Sequence, residues 1–438
     1  MFLSLWMGIF FVVSTPPFQA PDEYFHYSRV LQISEGQFLP VKQGNVIGAY
    51  LSKDQKEFLH IVYEKPKGLS EMIKLLGQRD SQVTNSFSRG TTTYNPIIYT
   101  PQVLGVIVAE SFHANQPQAF YLARLFALIF FVVVVYFAIK MLPIKKWFFV
   151  AIATLPMVLF LAASNSADVT AISVFIFIVA FFLHLLSKSK MSKNDYFIII
   201  LTTLFIAALK APYFFVVFLY FFIPKDKFIK PKDRIYIFLV LLFILVSVNL
   251  LWVFLTREYN AIAIGRAMYP TILSDPRAQK NFIIGHPLQY TKVFIKTIWQ
   301  QGNYYINSCI GVLGPLTVWF NQLIYTSYMV VIVTTLLGEA PNTVHINKKT
   351  KLAALFLFIF IATSIITVMY ITWTPLKLSI VEGVQGRYFI PLLFLLPIFT
   401  KGLFYTKINK QVSFPLFVMG AIVGLSLLVG LKFFIFYQ

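Results

Sequence analysis

Long apolar runs recur along the whole chain and leave few residues to form a water-facing surface. A membrane-crossing helix needs about 20 predominantly apolar residues, with a range of about 17–25. The chain is 58% hydrophobic and 12% charged, whereas soluble domains carry about 25% charged residues. These properties exclude a soluble globular protein and a disordered chain. They predict an all-α polytopic membrane protein.

The apolar runs predict about eleven transmembrane helices, with a range of ten to thirteen. A weaker candidate, segment 95–112, contains two prolines, Gln102 and Glu110. The pair 196–209 and 211–223 is short and is interpreted as a hairpin around Lys210. The predicted spans are 1–15, 117–139, 147–163, 169–186, 196–209, 211–223, 235–256, 315–337, 352–373, 388–400 and 412–436.

The distribution of charge predicts the orientation. Cytoplasmic loops are enriched in Lys and Arg, and the Lys-rich loops share one side only if segment 95–112 does not cross. The sequence therefore predicts a cytoplasmic Met1 and places 95–112 as a helix on the outer surface. The chain is then one membrane domain, 1–438, with outer loops at 16–116 and 257–314 that contain short helices. The net charge of +20 is explained by topology, and no nucleic-acid partner is predicted.

The strongest local pattern follows the first span and reads PPFQAPDEYFHYSRVLQISEG. Pro21 suits the first position of a helix, which places Asp22 and Glu23 in the first turn, where the helix dipole favours anions. Asp22, His26 and Arg29 are spaced to share one helix face. They could form a general base, a set of metal ligands or an anion site. The alternative is a capped, solvated helix with a surface charge network.

Two further patterns lie at predicted outer loops. The turn that contains Asn165 and Asp168 (SNSAD) is rich in residues that favour turns for backbone reasons alone. The stretch GVQGRYFIP carries Gln385, Arg387 and Tyr388 where a span begins. Arginine suits bidentate phosphate binding, although an interfacial Arg/Tyr belt gives the same pattern.

Two cations lie within apolar segments. Lys210 is at the tip of the short hairpin, and Arg124 is about two turns into the span 117–139. A charge in an apolar segment is unfavourable and often indicates a transport pathway or an anionic partner, although long side chains also extend to the interface. From their charge and depth we predict that both cations contact a phosphate group of the substrate.

The predicted topology places Asp22, His26, Asp168, Lys210 and Arg387 at the same outer membrane face. Carboxylates and cations beside acyl chains suit a reaction on a lipid phosphate. In such a reaction a base activates a hydroxyl and cations stabilise the departing phosphate.

The chain resembles a bacterial family of predicted multi-span membrane proteins that is itself similar to the GT-C glycosyltransferase superfamily. The resemblance runs from residue 17 to residue 391, and its most specific parts are DExxHxxR and QGRYF. It implies a GT-C-like fold in the bacterial cytoplasmic membrane with an extracytoplasmic active site. The stretches that carry it are PFQAPDEYFHYSRVLQISEG, TYNPIIYTPQ, ARLFAL, LPMVLFLAASNSAD, LKAPY, GVLGPL and GVQGRYFIP.

The resemblance implies inverting transfer of a sugar from a polyprenyl-phosphate carrier to a glycan or lipid acceptor of the cell envelope. Asp22 would be the catalytic base, Glu23 would assist it or help to hold a metal, and Arg387 would contact the donor phosphate beside Tyr388. His26 joins Asp22 and Glu23 as a candidate catalytic residue and as a possible ligand of Mg²⁺ or Mn²⁺. The predicted substrate-binding residues are Arg29, Asn165, Asp168 and Gln385.

Other functions remain open at this stage. A transporter or lipid-carrier flippase would place polar groups near the bilayer midplane, often on broken helices in repeated halves, and no repeat is evident here. Sequence hardly separates a polymerase or ligase of lipid-linked saccharides from an enzyme that transfers a single sugar. A non-catalytic assembly partner is the third alternative. Substrates apart, the expected partners are the membrane lipids.

Overall fold

The computed structural model shows a predominantly helical chain. It describes residues 2–44, 46–64, 86–89, 93–209, 211–263, 275–338, 344–376, 378–401 and 413–437. The α-helices, in chain order, are α1 Phe2–Ser14, α2 Glu23–Ser34, α3 Lys53–Glu64, α4 Thr100–Ser111, α5 Gln116–Met141, α6 Lys146–Ala153, α7 Pro156–Ala162, α8 Asp168–Ser187, α9 Lys193–Ala207, α10 Asp233–Ala263, α11 Pro276–Gly285, α12 Pro287–Gly311, α13 Gln322–Gly338, α14 Lys348–Thr372, α15 Ile390–Leu393, α16 Leu396–Thr400 and α17 Ser413–Tyr437.

Long apolar helices confirm that the protein belongs to the membrane. In the part of the chain that the structure describes, five helices are long and apolar enough to cross a bilayer, and each coincides with a predicted span. Shorter apolar helices cover Phe2–Ser14, Ala211–Phe222 and Gln322–Gly338. The total of about eleven crossings stays a prediction. The five long helices are Gln116–Met141, Asp168–Ser187, Asp233–Tyr259, Lys348–Thr372 and Phe414–Tyr437.

Several predicted spans are not continuous α-helices. The span 147–163 is broken into α6 and α7, and Pro156 begins α7. The span 388–400 becomes a 3₁₀ helix, Gly386–Phe389, followed by α15 and α16. Helices α7, α15 and α16 each carry a proline near the start, and a proline cannot continue the hydrogen bonding of the preceding helix. The span 211–223 is a 3₁₀ helix, Ala211–Phe222.

The first predicted outer loop contains a small sheet that the prediction of an all-α fold did not include. Strands β1 (Val41–Gln43), β2 (Val46–Leu51) and β3 (Ser86–Arg89) pair antiparallel in the order β1-β2-β3. Ile47, Ala49 and Leu51 are buried. This spacing of two is that of a strand with one buried face, and the sheet covers part of the core beside α2.

Segment 95–112 folds as a short 3₁₀ helix, Pro96–Tyr99, followed by α4. At 1.5 Å per residue the twelve residues of α4 extend about 18 Å, which is less than a bilayer core of about 30 Å. Helix α4 packs against α5, because Gly105 has no side chain where the backbone of Ala123 approaches. A Cβ at Gly105 would lie 2.7 Å from the Cα of Ala123.

The start of α2 differs from the prediction. The helix begins at Glu23, and Asp22 precedes it in the left-handed conformation with φ 60°. Asp22 is therefore not in the first helical turn, and Pro21 is not the first helical residue. Aspartate tolerates this conformation better than most residues. As a result, the side chain of Asp22 leaves the helix in a different direction from those of Glu23, His26 and Arg29.

Candidate functional site

Arg387 lies between two carboxylates contributed by distant parts of the chain. Its Nη2 atom donates a hydrogen bond to Oδ2 of Asp22, and its Nη1 atom donates to the carbonyl oxygen of Pro21 at 3.4 Å. Its Nε atom is 3.4 Å from Oδ2 of Asp168. The three charged groups carry a net charge of −1 when both carboxylates are ionised. Asp22 and Arg387, which the sequence places at the same membrane face, are thus in direct contact.

The two carboxylates differ in their access to solvent. The side chain of Asp22 is 53% exposed, whereas that of Asp168 is 7% exposed and that of Arg387 is 1% exposed. Asp22 is therefore the member of this cluster that an incoming substrate can reach. Asp168, the first residue of α8, supports the guanidinium from the buried side.

The close approach of Gly386 to α12 fixes the position of Arg387. The N–H of Gly386 donates to Oγ of Ser308 at 2.9 Å. A Cβ at Gly386 would lie 2.0 Å from the carbonyl oxygen of Tyr305 and 2.3 Å from the amide nitrogen of Cys309. Only glycine fits this contact. The glycine before Arg387 in the QGRYF stretch is thus required by packing.

We expect Gly386→Ala to weaken the fold and to displace Arg387, because the added methyl group overlaps the backbone of α12. Overpacking of this kind costs about 1–3 kcal/mol of stability. Thermal unfolding of the detergent-solubilised protein measures the effect. Gly302→Ala, on α12 itself, is the control, because a Cβ at Gly302 meets nothing within 4 Å. Alanine is favoured over glycine inside a helix by about 0.5–1 kcal/mol, so the control should be stabilising. A neutral Gly386→Ala would contradict the packing argument.

Tyr388 and Gln385 flank Arg387. The guanidinium carbon lies 5.2 Å from the centre of the Tyr388 ring, and Nη2 is 3.4 Å from the Tyr388 hydroxyl. The hydroxyl of Tyr213 donates to the Tyr388 carbonyl oxygen at 2.9 Å, which ties this segment to the 3₁₀ helix Ala211–Phe222. Gln385 is half-buried, and its side-chain oxygen accepts no hydrogen bond within the described ranges.

A second ion pair lies beside the first and is completely buried. Glu23 and Arg124 are both 0% exposed at the side chain and 2.6 Å apart between Oε2 and Nη2. Nε of Arg124 donates to Oε1 of Glu23 at 2.8 Å, which completes a two-pronged contact. The remaining Arg124 hydrogen bonds go to carbonyl oxygens at the end of α1, at residues 12, 15 and 16.

This pairing corrects the roles predicted for Glu23 and Arg124. Besides the bonds from Arg124, Glu23 accepts hydrogen bonds from the N–H of Phe18 at 3.1 Å and of Asn165 at 2.9 Å. Both carboxylate oxygens are thus occupied within the protein. Arg124 is aimed at Glu23 and at backbone oxygens, not at a position that a phosphate can reach. The pair joins α1, α2, α5 and the turn before α8.

The turn that contains Asn165 serves both ion pairs. The N–H of Asn165 binds Glu23, and its Nδ2 atom donates to the carbonyl oxygen of Phe120 at 3.4 Å. Three residues later Asp168 contacts Arg387. Asn165 is 0% exposed, so it holds the turn in place. Asp168 is the residue of this segment that contacts Arg387, beside the exposed Asp22.

His26 and Arg29 are separate from the Arg387 cluster. Nδ1 of His26 is 2.6 Å from the Tyr99 hydroxyl, and its ring stacks on Tyr94 at 5.8 Å. Arg29 donates to Oε1 of Gln32 and to the carbonyl oxygens of Phe38 and Tyr94. Both side chains are buried. They fasten the first loop onto α2. Asp22 precedes this helix, so Asp22, His26 and Arg29 do not share the single helix face that their spacing predicted.

The predicted metal ligands do not converge. Asp22 points to Arg387, Glu23 binds Arg124, and His26 binds Tyr99. Across the described residues, no group of three His, Cys, Asp or Glu side chains is arranged to hold a metal ion. These three residues therefore do not fit a shared Mg²⁺ or Mn²⁺ ion. Lys210, the other predicted phosphate partner, lies outside the described residues.

One supporting residue had no predicted role. Gln102 on α4 is fully buried, and its Nε2 atom donates to the carbonyl oxygen of Ser166 at 3.0 Å. Thr170 on α8 donates to the carbonyl oxygen of Ile98 at 2.7 Å. These contacts fix the turn before Asp168. An amide side chain within the apolar segment 95–112 was the signal in the sequence.

The long apolar helices are those of an integral membrane protein. The chain belongs to the family described as predicted membrane protein (DUF2142), which matches residues 5–396. The match includes most of α1, both ion pairs and the segment that carries Arg387. No curated protein and no solved structure matches the chain.

Proposed function

We propose that the protein is a GT-C-type glycosyltransferase that moves one sugar from a polyprenyl-phosphate carrier to a glycan or lipid acceptor of the cell envelope. In this proposal it lies in the bacterial cytoplasmic membrane with Met1 in the cytoplasm and Arg387 at the outer face. The observation that supports the proposal most directly is the contact of the exposed Asp22 carboxylate with a buried arginine at the end of apolar helices.

The donor phosphate binds Arg387 in the proposed mechanism. A phosphate oxygen accepts charge-assisted hydrogen bonds from Nη1 and Nη2, the atoms that now contact Pro21 and Asp22. Asp168 remains on the Nε side and keeps the guanidinium oriented. Phosphate binding thus takes the place of Asp22 on Arg387 and releases the Asp22 carboxylate toward the acceptor. Substrate binding and activation of the base are coupled through one side chain.

The transfer is a single displacement. The acceptor hydroxyl oxygen attacks the anomeric carbon, and the bond between that carbon and the phosphate oxygen breaks. The electron pair of the broken bond goes to the polyprenyl phosphate, where Arg387 stabilises the negative charge. The hydroxyl proton goes to Asp22. Attack opposite the leaving group inverts the anomeric configuration.

The decisive experiment is a transfer assay with purified protein in detergent and a panel of polyprenyl-phosphate sugars, with and without chelator. A glycosidic product with inverted configuration is the expected result. Micelles have no second compartment, so a flippase or transporter yields no product in this assay. Addition of one sugar to each acceptor indicates single transfer, whereas a ladder of longer products indicates a polymerase. A complete lack of product with every donor, from protein that is folded and monodisperse, would refute the proposal.

We expect Arg387→Ala to lower kcat/KM for the donor by about 10²–10³-fold, because a preorganised cation no longer meets the developing phosphate charge. Arg387→Lys should restore part of the loss, since it keeps the charge without the two-pronged geometry. Kinetics at varied donor concentration measure the effect. Arg277→Ala is the control, because Arg277 is exposed on α11. Unchanged donor kinetics in Arg387→Ala would remove Arg387 from the site.

A further inference from the structure

A groove opens between α1, α5 and α6, far from the Arg387 cluster. Its volume is about 270 Å³, close to the lower limit of about 300 Å³ for small-molecule pockets. The wall is mainly apolar and includes Phe131, Val132, Val135 and Val150. A space of this size and lining accepts part of one hydrocarbon chain and not a bulky polar molecule.

One end of the groove is strongly basic. Lys140 and Lys146 both line it, and both are exposed. Nζ of Lys146 lies 3.4 Å from the carbonyl oxygen of Lys140, so the Lys146 side chain reaches the end of α5. The Lys140 ammonium is 5.8 Å from the centre of the Tyr136 ring, another lining residue. Tyrosine and lysine in this arrangement are typical of a membrane interface.

We propose that this groove binds one anionic phospholipid, with an acyl chain along α5 and the phosphate between Lys140 and Lys146. The apolar wall accounts for the chain, and the two lysines that line the groove account for a negative headgroup. A neutral lipid would bring no net negative charge to these cations, and free phosphate would make no contact with the apolar wall. The lysine loop that ends α5 is also on the side that the sequence predicts to be Lys-rich, where anionic lipids attract basic segments.

This site is distinct from the proposed transfer site. Arg124 and Lys140 are sixteen residues apart on α5, which separates their Cα atoms by about 24 Å. The groove therefore lies at the opposite end of the helix from the ion pairs. Lipid binding here is independent of the proposed glycosyl transfer, and either proposal can fail while the other holds.

The test uses the full-length protein in detergent with photoactivatable phosphatidylglycerol that carries a diazirine on one acyl chain. Peptide mapping should find the label within 131–139 and 147–154. Lys140→Gln with Lys146→Gln should reduce labelling at least about tenfold, because each lysine near an anionic headgroup contributes to attraction. The matched control is Lys225→Gln with Lys230→Gln, which removes two exposed cations elsewhere and should leave labelling unchanged.

Two further arms identify the ligand. Phosphatidylcholine with the same photoactivatable chain should label the groove at least about tenfold less than phosphatidylglycerol, and millimolar inorganic phosphate should not compete. Equal labelling by the two lipids, or full labelling of the Lys140/Lys146 variant, would overturn the proposal in favour of ordinary annular lipid. Displacement by inorganic phosphate alone would overturn it in favour of a simple anion site. Labelling mapped elsewhere would also overturn it.

Discussion

Asp22→Asn should produce a folded, membrane-inserted protein whose rate of sugar transfer is lower by about 10²–10⁴-fold, the usual contribution of a general base. The amide keeps the size of the side chain but does not accept the hydroxyl proton. Asparagine also tolerates the left-handed backbone at this position, where φ is 60°. The loss is therefore chemical, and a single-turnover assay at saturating donor measures it.

The choice of substitution matters for this test. Asp22→Ala would add left-handed strain of about 1–2 kcal/mol to the loss of the carboxylate. Asp22→Gly removes the carboxylate and relaxes the backbone, so it serves as a second variant. Both Asn and Gly should be inactive at unchanged thermal stability. Full activity in either would refute the catalytic role of Asp22. Loss of stability in both would indicate a structural salt bridge to Arg387.

Glu23→Gln should destabilise the protein by about 3–5 kcal/mol, because it leaves the guanidinium of Arg124 buried without its counter-ion. Arg124→Met should have a similar effect, since it leaves the buried Glu23 carboxylate without its counter-ion and removes the donor to the backbone oxygens of Thr15 and Pro16. Thermal unfolding followed by size-exclusion chromatography in detergent measures both. A loss of stability is expected for Glu23→Gln but not for Asp22→Asn, and this difference distinguishes the two neighbouring carboxylates.

A double-mutant cycle provides the control. The combination of Glu23→Gln with Arg124→Met removes both charges and should be less destabilising than the sum of the single changes. The exposed ion pair of Lys53 and Glu57 is a matched comparison. Its Nζ and Oε1 atoms are 3.9 Å apart, and the two side chains are 46% and 51% exposed. Glu57→Gln there should change stability by less than about 1 kcal/mol. Additive losses at residues 23 and 124 would contradict a coupled pair.

Sequence alone predicted the helical membrane class, which follows from composition and run length. The predicted topology also placed Asp22, His26, Asp168, Lys210 and Arg387 at one membrane face. Of these five residues, Asp22 and Asp168 contact Arg387, His26 binds Tyr99, and Lys210 lies outside the described residues. The similarity to GT-C enzymes stays a prediction.

Sequence could not assign the separate binding partners of Asp22 and Glu23. Adjacent carboxylates look equivalent in the sequence, but the left-handed backbone at Asp22 sends the two side chains to different partners. Helical spacing also placed Asp22, His26 and Arg29 on one face. That argument failed because α2 begins only at Glu23, and because Tyr94 and Tyr99 arrive from a distant segment to bind His26.

The ion pair of Glu23 and Arg124 constrains how the chain is assembled in the cell. The two residues are 101 positions apart, and neither retains contact with solvent once they have met. An arginine stranded alone in hydrocarbon is strongly disfavoured. The ribosome releases Glu23 well before Arg124, so α2 must stay accessible at the insertion machinery until α5 arrives. Helix α5 should then move into lipid only once Arg124 has met Glu23.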